Sequence, residues 1–293
     1  MASLGELLAQ QQRLEKAEVR SRQGSSKRRE RPSWTSGGVN FEQPSVARVY
    51  DYYLGGSHNF AVDRQVARRT IELWPDLPLA LQANRAFLRR SVRYLVKQGI
   101  TQFLDIGSGI PTEGNVHEVA QVASPEARVV YVDIDPMAVA HSRAILADNP
   151  RADIVQADLR DLPAILDDPR SRRLLDLTQP IGVLMVAILH FIPDQADAAN
   201  IVAQYRNIMA SGSYLAVTHG AQSYQAEPAA EFYRRTTAPL VLRTHPEIKA
   251  LLKGFDLVPP GLVFYPLWRP DSPADVDDHP ERFSGYAAVG RQK

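Results

Sequence analysis

The chain has 293 residues, 44% of them hydrophobic, so it can bury one large core or two small ones. It contains no cysteine, which excludes disulfides, thiolate metal sites and a cysteine nucleophile, and which suits a reducing cytoplasm. The longest apolar stretch, Ile181 to Ile192, is shorter than the roughly 20 residues of a membrane span, and the N-terminus shows no secretory signal. We therefore expect a cytoplasmic protein with no membrane partner.

The net charge of +1 conceals a basic N-terminal segment. Residues 1 to 32 hold eight Arg or Lys against four Glu, and a stretch rich in Ser and Gly follows. We expect a disordered basic tail over residues 1–38, because Arg20 to Gly38 offers too few apolar residues to offset the entropy lost on ordering. No aromatic residue lies among the basic ones, which argues against nucleic-acid binding by the tail.

Helical periodicity runs from Pro44 to Lys97, with breaks at residues 54–59 and 73–78, so two or three helices are predicted before the first strand. Short β-branched segments then alternate with helical ones, which predicts a mostly parallel α/β sheet that is doubly wound by helices. The predicted strands are Gln102–Ile106, Arg128–Asp133, Asp153–Gln156, Gly182–Leu189 and Ser213–Thr218. Two final segments, Gly261–Leu267 and Tyr286–Gly290, are predicted to form a terminal antiparallel pair.

The most informative motif combines a strand, a glycine turn and an acid. FLDIGSG places Asp105, Gly107 and Gly109 where the first strand gives way to a helix, and Asp133 ends the second strand. Glycines let the backbone approach a ligand closely, and a strand-end carboxylate accepts hydrogen bonds from both hydroxyls of a ribose. The motif predicts an adenosine-containing ligand. The alternative for Asp133 is a carboxylate that only caps the following helix.

Asp158, in VQADL, occupies the corresponding place after the third strand. A carboxylate there accepts from the amino group of an adenine, although helix capping is again the alternative. Because the carboxyl ends of parallel strands meet at one edge of a sheet, all three acids are expected to surround one cleft.

The fourth strand is followed by VAILHFIPD, which puts Ala187 and His190 at the strand end and Pro193 at the start of the next helix. This run resembles that of the class I S-adenosylmethionine (SAM) methyltransferases, whose fourth strand commonly ends in a Leu-His run beside the methyl donor. A nicotinamide-binding Rossmann domain would require glycine at position 112, where this chain has Thr112.

The N-terminal half carries a more specific resemblance. PSVARVYDYYLGGSHNFAVDR, QANRAFLRRSVRYL, DIGSGIPTEGNVHEVAQ and VVYVDIDPMAVAHSRAIL are similar to a bacterial family named S-adenosyl methyltransferase, once catalogued as a domain of unknown function. The resemblance covers Pro44 to Gly290. Pro111 stands where many methyltransferases have a third glycine, and GSGIPT looks like this family's own form of the loop.

This resemblance implies a seven-stranded, Rossmann-like methyltransferase sheet in a domain over residues 39–293. Residues 39–98 would form a helical cap or lid, and residues 221–256 an insert on the acceptor side that contains two short helices, EPAAEFYRR and HPEIKALL. It also implies SAM as cofactor. It does not supply an acceptor, which we expect to be a small molecule. The expected SAM-binding residues are Asp105, Gly107, Ser108, Gly109, Asp133, Ile134, Asp158, Leu159, Ala187 and Tyr53.

The DYYLGGSHN segment combines glycines with aromatic and polar groups, as expected of a lid over the cofactor; the alternative is a fixed cap that packs its aromatics on the sheet. His190, Tyr50 and His58 are the candidates for a general base, should the acceptor need to lose a proton. His190 is equally compatible with a structural role. The seven histidines show no metal-ligand spacing, so no metal is expected.

Two other functions remain open from the sequence. A non-catalytic SAM-binding sensor or regulator would show the same cleft without a clear base. An NAD-linked oxidoreductase would share the general fold but disagrees with Thr112 and with the terminal strand pair. The methyl acceptor and the oligomeric state do not follow from the sequence.

Overall fold

The protein is described by a computed structural model that covers residues 40–111, 114–233, 236 and 238–293. The predicted basic tail, residues 1–38, lies outside these described residues. Three helices precede the first strand: α1 (Val46–Tyr53), α2 (Ala61–Leu73) and α3 (Leu77–Lys97). Their breaks fall where the sequence predicted them, which confirms the helical reading of this region. None of the described helices is both long and apolar enough to span a bilayer.

The sheet has the predicted doubly wound α/β architecture. Its strands are β1 (Gln102–Ile106), β2 (Arg128–Asp133), β3 (Ala152–Gln156), β4 (Gly182–Val186), β5 (Tyr214–Gly220), β6 (Phe255–Leu257), β7 (Val263–Phe264) and β8 (Gly285–Gln292). The spatial order is β3-β2-β1-β4-β5-β8-β6, with β7 paired to β8 off this path. Strands β1 to β5 are parallel, and β8 runs antiparallel to β5, β6 and β7.

The predicted terminal antiparallel pair is present, since β7 lies within Gly261–Leu267 and pairs with β8. The sequence analysis missed β6, a strand too short to show alternation, and β8 lies between β5 and β6. The predicted end of β4 was wrong. Strand β4 stops at Val186 rather than Leu189, because Ala187 adopts a left-handed conformation with φ 58° and residues Leu189–Phe191 form a 3-10 turn. The next helix accordingly begins at Gln195 rather than at Pro193.

The remaining helices connect the strands. They are α4 (Val116–Ala123), α5 (Pro136–Leu146), α6 (Leu162–Asp167), α7 (Pro169–Leu174), α8 (Gln195–Ile208), α9 (Ala226–Tyr233) and α10 (His245–Leu251). The last two are the short helices predicted between residues 221 and 256.

Alternate residues of the strands face two separate apolar layers, as expected when successive side chains point to opposite faces. Phe103 and Val129 pack with buried residues of α3, α4 and α5 on one face. Leu104 and Val130 pack with α6, α7 and α8 on the other. Both faces are therefore covered, which explains why the strands read as nearly continuous apolar runs.

A buried carboxylate joins α1 to α2. Asp63 accepts hydrogen bonds from the backbone N–H of Ser45 (2.9 Å), the backbone N–H of Phe60 (2.8 Å) and Nε of Arg48 (2.8 Å). Both charged side chains are almost fully buried. Buried charges of this kind are tolerated when they are paired and hydrogen-bonded, so the pair fixes how the first two helices dock.

A second buried cation joins the segment after β4 to the region between α9 and α10. The guanidinium of Arg243 donates to the backbone carbonyls of Leu189 (3.2 Å) and Ile192 (2.7 Å), to Oε1 of Gln195 (2.5 Å) and to Nε2 of His219 (2.9 Å). The planar fork thus fixes residues 189–194 against the end of β5. We call this set of contacts the Arg243 clamp.

Arg243→Lys should lower the free energy of unfolding by about 2 to 4 kcal/mol, because lysine keeps the charge but cannot present a planar fork to several carbonyls. Urea denaturation measures the change. Arg172→Lys, at an exposed ion pair with Asp167, is the matched control and should cost no more than about 0.5 kcal/mol. Equal losses in both variants would contradict the structural role of the clamp.

Candidate active site

A cavity of about 580 Å³ lies where the carboxyl ends of β1 to β4 meet α1 and α3. Its size is typical of small-molecule sites, and its position at the β1–β4 boundary, where the strand order reverses, is typical of ligand sites in doubly wound folds. Most of the predicted site residues line it: Asp105, Gly107, Ser108, Gly109, Asp133, Ile134, Asp158, Leu159, Ala187 and Tyr50. Tyr53, His190 and His58 do not.

The turn after β1 depends on glycine at two positions with positive φ, 71° at Gly107 and 68° at Gly109. A Cβ on Gly107 would also lie 2.6 Å from Cδ1 of Ile188, so a larger residue does not fit there. Asp133 holds the turn from the neighbouring strand, since its Oδ2 accepts from the backbone N–H of Gly109 (2.6 Å) and its Oδ1 from that of Asp135 (2.8 Å). Backbone and carboxylate thus form one rigid edge of the cavity.

Both strand-end carboxylates have raised pKa values. Burial raises the pKa of Asp105 to about 7, against the opposing effect of Arg85, and the charge of Asp133 raises it further. Burial also raises the pKa of Asp133 to about 6, partly offset by the N–H groups of Asp135 and Gly109. Near neutral pH these groups therefore carry less than full negative charge, and a cationic or hydroxyl-bearing ligand would favour their ionised forms.

Arg85, on α3, is a site residue that the sequence reasoning missed. It lines the cavity, and within the described ranges its buried Nε and Nη2 have no hydrogen-bond partner. Buried guanidinium donors are normally satisfied, so two unsatisfied ones on a residue that lines the cavity indicate a site for an anionic ligand group. Four arginines lie within nine residues of this helix, and only the fold shows which of them faces the ligand.

Asp158 lies just after β3, as expected, and its carboxylate is hydrogen-bonded to Arg160. Its two oxygens accept from Nε (2.9 Å) and Nη2 (2.5 Å) of Arg160, which also lines the cavity. These hydrogen bonds hold the pKa of Asp158 below its usual range. The carboxylate is therefore ionised and directed by Arg160, with lone pairs left for a ligand.

The histidine candidates lie away from the cavity lining. His190 is buried, accepts from the backbone N–H of Gly220 through Nδ1 (3.2 Å), and has its pKa held well below the usual range by burial. His58 packs against His141 with ring centroids 4.1 Å apart. Both placements favour structural roles.

Tyr53 does not line the cavity either. It is 4% exposed, and burial raises its pKa to about 12. It belongs to the apolar layer that packs α1 against the sheet. In the part of the chain that the structure covers, no three side chains of metal-ligating type converge.

The strand order, the glycine turn and the row of strand-end acids define a Rossmann-like methyltransferase fold. Residues 32–293 match the family model described as S-adenosyl methyltransferase. The chain therefore belongs to the S-adenosyl methyltransferase family, whose members depend on SAM.

Solved structures agree with this assignment. A proposed methyltransferase from Thermobifida fusca YX is 41% identical, with a TM-score of 0.84 over 89% of this chain and 100% of that one. A DUF574 family protein from Streptomyces avermitilis MA-4680 is 40% identical, with a TM-score of 0.83 over 86% of this chain and 99% of that one.

A curated relative matches only locally. It is the ribosomal RNA small subunit methyltransferase H of Halorhodospira halophila (strain DSM 244 / SL1), which is 38% identical over 53 residues. The match spans 18% of this chain and 16% of that protein.

The cavity fits SAM on two independent observations. The carboxylate of Asp133 has about four lone-pair positions, and the backbone N–H groups of Gly109 and Asp135 do not occupy all of them, so it could also accept from the hydroxyls of a ribose. The unsatisfied Nε and Nη2 of Arg85 match the carboxylate of the methionine part.

SAM binding should release protons near pH 6 and almost none near pH 8.5. The raised pKa values mean that Asp105 and Asp133 are partly protonated at the lower pH, and a cationic ligand favours their ionised forms, so affinity should rise as the pH increases through about 6 to 7. Calorimetry at each pH in two buffers with different heats of ionisation gives the number of protons. Asp133→Asn should reduce that number, and proton uptake would contradict the assignment.

Proposed function

We propose that this protein transfers the methyl group of SAM to a small-molecule acceptor. The observation that carries the proposal is a single cavity in which Asp105, Asp133 and the unsatisfied guanidinium of Arg85 converge beside an apolar wall. Family membership supports the donor, and the cavity's volume supports a small acceptor.

The proposed donor site uses neighbouring parts of the cavity. Asp133 accepts from the ribose hydroxyls, Arg85 binds the methionine carboxylate, and the turn at Gly107–Gly109 lets the backbone approach closely. Ile134 and Leu159 flank the adenine, whose amino group donates to Asp158. Ala187 lies at the end of β4 beside the reacting centre. Tyr53 is left out of this set, because it packs in the core.

Bound SAM supplies an electrophilic methyl carbon, which the acceptor attacks in line with the bond to sulfur. The residues of this chain therefore have to align the two molecules and exclude water rather than form a covalent intermediate. Leu54 and Leu88 from the helical cap, with Phe191 from the turn after β4, supply the apolar wall that keeps water out.

Of the three candidates for a general base, only Tyr50 lines the cavity. His190 and His58 point elsewhere and are excluded from the proposed mechanism. Burial raises the pKa of Tyr50 above its ordinary value, so its phenol stays protonated at neutral pH and is poorly suited to accept a proton. The proposed mechanism therefore contains no histidine or tyrosine base.

The donor site is tested by calorimetry on two pairs of variants. Asp133→Ala and Arg85→Met should each lower SAM affinity by about tenfold to a hundredfold, because each removes charge-assisted hydrogen bonds. Asp256→Ala and Arg172→Met, at exposed ion pairs on β6 and α7, are the controls. NAD should not bind to any of them.

Unchanged SAM affinity in both site variants would sink the donor-site assignment. A second arm incubates the protein with labelled SAM and a broad set of small-molecule acceptors. Tight SAM binding with no transfer to any acceptor would instead favour a non-catalytic SAM-binding role.

We also propose that residues 54–60 act as a lid, while α1 stays docked. Asp51 holds this loop through the backbone N–H of His58 (2.9 Å) and Nδ2 of Asn59 (2.8 Å), and Gly55 takes a φ of 81° at its start. Leu54 and Tyr50 line the cavity, so ligand contact reaches the loop directly.

Adding SAM should slow amide hydrogen exchange in residues 54–60 more than in β6, which lies at the far edge of the sheet. The exchange is measured on the full chain by mass spectrometry. Equal protection with and without SAM would show that the segment is a fixed cap. Tyr53→Ala would not test the lid, because truncating this buried ring should lower stability by about 3 to 5 kcal/mol.

A further inference from the structure

The cavity has a wall that the donor does not account for. Its residues come from α1, α3, the segment after β4 and the loop before α10, and most are apolar: Val46, Leu54, Leu88, Ile188, Phe191 and Pro239. The charged side chains of the cavity belong instead to the ends of β1, β2 and β3, to the loops that follow β2 and β3, and to Arg85. Tyr50 on α1 and Asn84 on α3 are uncharged polar residues that also line the cavity.

A chain of three hydrogen bonds links Tyr50 to the sheet. The backbone N–H of Ala187 can only donate, and it donates to Oγ1 of Thr218 (2.8 Å). The hydroxyl of Thr218 then donates its own proton to Oδ1 of Asn84 (2.7 Å). This orients the Asn84 amide so that Nδ2 faces the phenol oxygen of Tyr50 and donates to it (2.9 Å).

This arrangement leaves the phenol proton of Tyr50 available for donation. Its oxygen already accepts from Asn84, and among the described residues no further partner takes its proton. Tyr50 lines the cavity, so the proton is available to a ligand there. Burial keeps the phenol neutral, in agreement with this role.

We propose that the methyl acceptor is a mainly apolar molecule whose nucleophile is an acidic hydroxyl, a phenol or enol, bound as its anion with Tyr50 donating to the oxygen. This inference rests on the proposed methyl-transfer function. The apolar wall binds the body of the acceptor, and the charged groups of the cavity lie at the strand ends, in the loops that follow β2 and β3, and on Arg85.

The reaction balances without a protein base. The acceptor loses its proton to solvent when it binds as an anion, and the oxygen keeps one lone pair for the Tyr50 hydrogen bond. A second lone pair forms the new bond to the methyl carbon while the bond from that carbon to sulfur breaks. The electron pair of the broken bond stays on sulfur, so an anion and a sulfonium give a neutral ether and a neutral thioether.

The test uses nitrophenols, whose anions absorb visible light, together with their methyl ethers as uncharged controls. Each is titrated into the protein saturated with S-adenosylhomocysteine, the demethylated product. Binding should lower the ionisation midpoint of the nitrophenol by about one pH unit or more, because hydrogen bonding to the charged form favours it. The methyl ethers should bind at least about tenfold more weakly than the phenols.

Three variants separate the donor role from simple packing. Tyr50→Phe should abolish the midpoint shift. Asn84→Asp should do the same while keeping the phenol, because a carboxylate would accept the Tyr50 proton and withdraw it from the ligand. Tyr224→Phe, at a tyrosine that is 95% exposed, is the control and should behave as the unchanged protein. Melting temperatures confirm that each variant folds. If a variant does not fold, it is replaced by Thr218→Val, which removes the central hydroxyl of the hydrogen-bond chain.

The inference is overturned if no nitrophenol binds, if phenols and ethers bind equally well, or if the midpoint does not shift. It is also overturned if Tyr50→Phe weakens S-adenosylhomocysteine binding by about tenfold, since the hydroxyl would then serve the methionine carboxylate. SAM affinity of the unchanged protein is measured on the same sample. Absent SAM binding would refute the proposed function itself, whereas SAM binding without a nitrophenol shift refutes only this inference.

Discussion

Two carboxylates buried side by side, on Asp105 and Asp133, are the constraint around which the site is arranged. Parallel pairing of β1 and β2 brings both to the same edge, and burial makes their ionised forms costly, as their raised pKa values show. The chain offsets part of this cost with the N–H of Gly109 and the charge of Arg85. The glycine turn supplies this N–H, and α3 carries this arginine. The ionised forms of the two carboxylates thus stay destabilised until a suitable ligand binds. Perturbed pKa values of this kind are common at functional sites.

The sheet alone makes only half of this site. Its strand ends supply acids and a turn that suit an adenosine, but they offer neither a guanidinium for an anion nor a wall for a second molecule. The guanidinium and part of that wall come from the N-terminal helices, and the buried pair of Arg48 and Asp63 joins the first two of them. Ser45 adds a hydrogen bond to Asp135, at the end of the second strand's acidic run. Helical cap and sheet are therefore complementary parts of one binding cavity.

Much of this arrangement could be predicted from local patterns. The bounds of β1 and β2, the breaks between the first three helices and the strand-end position of Asp105, Asp133 and Asp158 all follow from periodicity and motif spacing. Long-range contacts could not be predicted in this way. Asn84 and Thr218 are 134 residues apart, and no local pattern indicates that they share a hydrogen bond. The sequence also does not show which arginine of α3 faces the cavity, because the side chains of successive residues on a helix differ in direction by only about 100°. A three-residue strand such as β6 is too short to show a period at all.

The Arg243 clamp joins the acceptor-side segment to the turn after β4 by charge-assisted hydrogen bonds to main-chain carbonyls. Main-chain carbonyls are present whatever the side chains are, so these hydrogen bonds do not depend on which side chains residues 189 to 193 carry. Arg243 itself is not replaceable in this way, since moving it would break the hydrogen bonds that fix the backbone of residues 189–194. Grafting a different acceptor-side loop onto this scaffold would therefore require the arginine and its turn to be exchanged as one unit. A single substitution at Phe191, a half-buried residue of the cavity wall, would leave the hydrogen bonds of the clamp intact.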